Sequence, residues 1–98
     1  MTDKTQSLPR KVKVGDKWYS IEVAQAMKRK AHMGEINYND RRIQLLASSY
    51  PLMQETFWHE LTHAILEDMG EHKLNNNERF VEEFSKRLYR AIRSAKFS

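Results

Sequence analysis

The chain contains no cysteine in 98 residues, which excludes disulfides and every thiolate metal site. Glycine (three) and proline (two) are scarce, and no low-complexity stretch or internal repeat separates one part of the chain from another. A second domain therefore has no room. No apolar run is long enough to span a membrane, and the N-terminus has no signal-peptide pattern. With 40% hydrophobic and 31% charged residues and a mean hydropathy of −0.79, the composition is that of a soluble globular domain. At 11.7 kDa it lies near the lower end of what folds without staples.

Acidic residues are in the minority: seventeen Lys+Arg face thirteen Asp+Glu, for a net charge of +4. Taken alone, that balance points to an acidic partner such as nucleic acid. The distribution points elsewhere. The basic excess lies in residues 1–33 and 70–98, whereas residues 34–69 carry six acidic and two basic side chains. His59 and His63 lie in that acidic middle segment and His72 just beyond it. A cation suits such a segment better than a phosphate does.

The first half reads as strands. Residues 1–10 (MTDKTQSLPR) are polar and aperiodic and are expected to form a loose arm, with a single domain over 11–98. Val12 and Val14 alternate with lysines, Gly15-Asp16 signals a turn, and Trp18 to Val23 is rich in β-formers. Residues 24–31 (AQAMKRKA) suit either a short helix or a loop. A hairpin is expected next, with Ile36 and Tyr38 on one arm, Asn39-Asp40 in the turn, and Ile43 and Leu45 on the other arm.

The second half changes period. Ser48, Ser49 and Pro51 announce a helix and Gly70 ends it. A second helix is expected to open at Asn75 as N-cap, with Glu78 completing a capping box. Phe80, Phe84, Leu88 and Ala91 form its apolar stripe, and its last turns are basic.

On the first helix the chain reads His59-Glu60-Leu61-Thr62-His63. Histidines four apart lie one above the other on one helical face, so both imidazoles can reach one ion. With cysteine absent, imidazole and carboxylate are the ligands left for zinc. Glu60 is rotated by one residue from His59, so it sits beside the ion rather than on it. There it can take a proton from a water whose pKa zinc lowers to roughly 7. That is the mechanical content of His-Glu-x-x-His on a helix. A catalytic zinc also needs a third protein ligand. Glu78, Glu82, Glu83 and His72 are the candidates, and Glu82 is favoured because Ser85, a small residue one turn on, lets two helices approach closely.

Residues 50–66 (YPLMQETFWHELTHAIL) resemble the active-site helix of the small ImmA/IrrE-type metallopeptidases, minimal zincins common in phages and mobile elements. Residues 77–89 (NERFVEEFSKRLY) are similar to that family's second signature, in which a glutamate ligand is followed by a small residue and an asparagine. Glu82 and Ser85 match its first two positions, and Lys86 stands where the asparagine would be. The resemblance spans roughly residues 11–93. It implies an α+β, minimal zincin-like fold: a small, mostly antiparallel sheet packed against an active-site helix and a C-terminal helix. It implies one Zn2+ held by His59, His63 and Glu82, with Glu60 as general base. It further implies a cytoplasmic endopeptidase of a bacterial host cell, cleaving a regulatory protein such as a repressor. In zincins an edge strand beside the active-site helix pairs with extended substrate, and Arg42-Ile43-Gln44-Leu45 is the candidate. Tyr38, Tyr50 and Tyr89 are the candidate oxyanion stabilisers.

The competing reading is a basic nucleic-acid- or protein-binding module with a structural or vestigial metal site. Its residues would be Lys28-Arg29-Lys30 and the run Lys86, Arg87, Arg90, Arg93 and Lys96.

Overall fold

Alternation of β-branched and aromatic residues with lysines produces the first hairpin, β1 (Lys11–Val14) and β2 (Lys17–Ala24). Gly15 turns the chain between them at φ 62, and a Cβ there would collide with the Asp68 carboxylate. A second hairpin follows, β3 (Gly34–Asn37) and β4 (Arg42–Leu46). Its turn is held by the Asp40 amide donating to Asn37 Oδ1 at 2.9 Å, and Arg41 takes a left-handed φ of 53. This computed structural model describes residues 8–27 and 33–97. The helix-or-loop expectation for residues 24–31 falls largely outside that range; Gln25 and Ala26 form a bend after β2.

The fold is α+β, as expected, but the sheet is mixed. Its order is β1-β2-β4-β3, with β1/β2 and β3/β4 antiparallel and β2/β4 parallel. The physical reason is burial. Ile43 and Leu45 of β4 are completely buried, so this strand takes an interior place, while the glycine-bearing four-residue β3 takes the edge. The expectation that Arg42–Leu45 would offer a free edge is thereby corrected: β4 is paired on both sides, and the edge beside the helices is β3.

Helix α1 (Tyr50–Met69) begins after Ser49, with Pro51 in its first turn, and ends at Gly70, whose left-handed φ of 73 directs its amide and the next back onto Glu67 and Leu66 carbonyls. It lays Phe57, Leu61 and Ala64 on the sheet against Val14, Tyr19, Ile43 and Leu45. A single helical turn, α2 (His72–Asn75), leads to α3 (Glu78–Ser94). The N-cap of α3 is Asn77, whose side chain accepts from the Phe80 amide at 3.0 Å, two residues later than expected from Asn75.

The apolar face of α3 is also turned from the expected stripe. Val81, Ser85 and Tyr89 are buried, whereas Phe84 is 47% exposed and stacks on Phe80 at the surface. The apolar arc of α3 is wider than one contact requires, and α1 chooses which part is used. Tyr89 stacks on Trp58 and the small Ser85 lets the helix axes approach. Among the described residues no helix is long and apolar enough to cross a membrane.

Candidate metal centre

The site follows from two matched ladders. His59 and His63 lie one turn apart on α1, and Glu78 and Glu82 lie one turn apart on α3. Packing of the two helices brings the ladders face to face. Glu78 spans both histidines: one carboxylate oxygen is 3.3 Å from His59 Nε2 and the other 3.1 Å from His63 Nε2. One donor atom from each of His59, His63 and Glu78 lies within 4.8 Å of the other two, close enough to hold a metal ion.

The outer nitrogens are equally specified. His59 Nδ1 is 2.9 Å from a Glu82 oxygen, and His63 Nδ1 is 2.6 Å from Asn75 Oδ1. Asn75 in turn donates from Nδ2 to the Tyr38 hydroxyl at 3.1 Å, which directs its carbonyl oxygen at His63. His59 Nδ1 meets a Glu82 oxygen and His63 Nδ1 the Asn75 oxygen, which fixes the ring orientations and turns both Nε2 atoms towards the Glu78 carboxylate. Two imidazoles and one carboxylate are a donor set able to hold a metal ion, of the kind that metals such as zinc accept.

Glu82, the third ligand expected from the sequence, is thus brought to the outer nitrogen of His59, while Glu78 joins the inner cluster. Glu82 also receives Lys86 at 3.0 Å. That hydrogen bond is the main reason its carboxyl is held below the ordinary carboxylate value; burial opposes it and the His59 contact assists. Lys86 thereby keeps Glu82 ionised as an acceptor.

Glu60 is 8% exposed and lines the same cleft as His59 and His63 without joining the three-donor cluster. It faces the edge strand: a Cβ on Gly34 would collide with Thr56 Cγ2 and lie 3.1 Å from the Gln44 carbonyl oxygen and 3.5 Å from Glu60 Oε2. Glycine is what allows β3 to lie this close to α1. The Leu46 amide donates to the Met33 carbonyl at 2.7 Å, which makes 33/46 a hydrogen-bonded pair. By the antiparallel alternation, residues 35 and 37 also point their backbone groups at β4, while Gly34 and Ile36 point theirs outward. The cleft between this edge and the helices has a volume of about 860 Å³ and is lined also by Leu52, Glu55 and Glu67.

The remaining candidates lie elsewhere. Tyr38 serves the far side of His63, and burial raises its phenol above the ordinary value. The Tyr50 hydroxyl accepts from the Leu8 amide, and Tyr89 stacks on Trp58. His72 lines the cleft outside the metal cluster, and Glu83 pairs with Arg87 on the outer side of α3. Arg93 packs over the Tyr89 ring, and Lys28-Arg29-Lys30 lie outside the described residues. Asn75 is the functional residue the sequence reading misplaced. Its signal was the triplet Asn75-Asn76-Asn77, of which a helix start needs only one. Compared with protein-family models, curated proteins and solved structures, the chain matches none.

Proposed function

We propose that this chain is a zinc-dependent endopeptidase of minimal zincin type, resembling the ImmA/IrrE-type enzymes, with His59, His63 and Glu78 as ligands and Glu60 as general base. The observation that carries the reading is the placement of a buried glutamate, outside the three-donor cluster, in the cleft that His59, His63 and the outer edge of β3 share. When bound, zinc supplies Lewis acidity to the scissile carbonyl. The outward N–H and C=O groups of Gly34 and Ile36 hold the substrate backbone extended by strand addition, which presents one peptide bond to the histidine pair. Glu60 takes the proton from the attacking water and returns it to the departing amine. Glu82 and Asn75 keep the imidazoles oriented. A regulatory protein of the bacterial cytoplasm remains the substrate implied by the family resemblance.

The test is zinc content together with peptide cleavage in four proteins. Wild type should bind one zinc and cleave. Glu60→Gln should keep zinc and lose cleavage. Glu78→Gln should lose zinc by a factor of ten or more, and Glu82→Gln should lose less. Well-folded wild type without zinc affinity, or cleavage that survives Glu60→Gln, overturns the proposal.

A further inference from the structure

The cleft has a charge that the metal does not explain. Along α1, Glu55, His59, His63 and Glu67 follow one another at intervals of four, so a single ridge carries the histidine pair with a carboxylate one turn before it and another one turn after it. At 1.5 Å per residue the two carboxylate positions stand about 18 Å apart, with the metal cluster between them. Neither forms an ion pair among the described residues, whereas Glu78 and Glu82 are engaged by histidines and Lys86. Glu35 also borders the cleft, but Gly34 directs its Cβ position at α1, and alternation then sends the Glu35 side chain to the opposite face of the sheet.

The side chains of Glu55, Glu60, Glu67, Glu78 and Glu82 therefore surround a space in which Lys86 is the single Lys or Arg among the described lining residues. Glu60 is already engaged within the protein, and a divalent ion with Lys86 would offset three of the other four charges, so among the described residues the loaded cleft stays negative. This is not inherited from composition, because the chain as a whole is +4. Low-dielectric walls concentrate such a field on whatever enters.

We propose that the cleft selects polypeptide segments carrying lysine or arginine on both sides of the bond presented to the histidines, with Glu55 and Glu67 as the specificity-determining residues. An extended strand rises about 3.4 Å per residue, so the ridge between the two glutamates spans about five substrate residues. Cationic side chains two to three residues from the central bond come within reach of one carboxylate on each side. The inference deepens the peptidase reading and rests on it, and its test is arranged to fail separately.

The probe is a fluorescent ten-residue peptide with lysines flanking an uncharged centre, compared with its isomer carrying glutamates at the same positions. Binding is measured by anisotropy with zinc-loaded Glu60→Gln protein over a range of salt concentrations. The lysine peptide should bind about tenfold more tightly, with the difference shrinking as salt rises. Glu55→Gln together with Glu67→Gln should reduce the preference to under threefold while leaving zinc content unchanged. Equal binding of the two peptides, binding of neither, or a preference that survives the double substitution overturns the inference. Cleavage is read separately with Glu60 intact: if neither peptide is cut while the binding preference holds, the peptidase reading falls and the selectivity stands.

Discussion

Replacing Asn75 by alanine probes the centre without touching a ligand. Asn75 is 9% exposed and its contact with His63 Nδ1 is 2.6 Å, so water does not readily take its place. Removing it deprives His63 Nδ1 of its hydrogen-bond partner in a largely buried site, a loss of about 1–3 kcal/mol. It also frees the ring to rotate or change tautomer, which on the proposed zinc assignment would disturb Nε2 as a ligand. On the zinc assignment, the substitution should weaken zinc binding by about 10- to 100-fold, equivalent to about 1.4–2.7 kcal/mol. Tyr38→Phe removes only the acceptor of the Asn75 amide and should weaken binding a few-fold. The control is Asn77→Ala, which deletes the α3 N-cap and costs about 1 kcal/mol of stability. It should leave zinc affinity unchanged. Competition with a chromogenic chelator reads the affinity, and the cobalt-substituted protein reports ligand geometry through its visible spectrum. Asn75→Ala binding zinc within twofold of wild type, or Asn77→Ala losing as much as Asn75→Ala, would refute the positioning role.

Three further outcomes are expected. Gly34→Ala should destabilise by about 1–3 kcal/mol through overpacking against Thr56, and Thr56→Ser, which removes the clashing methyl group, should recover much of it in a double-mutant cycle by denaturant titration. Gln54 is 2% exposed with Nε2 unpaired, so Gln54→Met, which keeps the volume and removes the amide, should raise stability by about 1 kcal/mol and be visible in the melting temperature; a loss would show that the amide is satisfied by an ordered water. Burial is the main cause holding the phenols of Tyr19 and Tyr38 above their ordinary value, and the nearby Glu67 charge adds to it. Because the folded state favours the protonated phenols, this stability is complete below about pH 10 and is lost as pH rises through the folded values; thermal melts across that range should fall less steeply for Tyr19→Phe.

Much of the fold was legible from local patterns. The strand alternation, the Gly15 and Asn39-Asp40 turns, Pro51 near the start of α1 and Gly70 at its end each act within a few residues, and all recur in the structure. The histidine pair was legible for the same reason, since a spacing of four on a helix is a local fact. What failed was non-local. β4 took an interior place because Ile43 and Leu45 needed cover on both sides of the strand, which a hairpin pattern does not express. The Asn75 cap was misplaced because three consecutive asparagines can each cap a helix, and only the His63 contact distinguishes them.

The sequence by itself determined the chemistry available: no thiolate, two imidazoles on one helical face, a glutamate beside them, and acidic residues spaced one turn apart. It also determined that four strands precede two long helices. The tertiary structure alone decided which carboxylate does what. Glu78 and Glu82 share one face of α3 and are equivalent by periodicity, and the rotation of α3 that buries Val81, Ser85 and Tyr89 against α1 sends one to the Nε2 pair and the other to His59 Nδ1. It likewise decided that, among the described residues, β3 is the edge strand beside α1, because Gly34 has no side chain to hold the strand away from that helix.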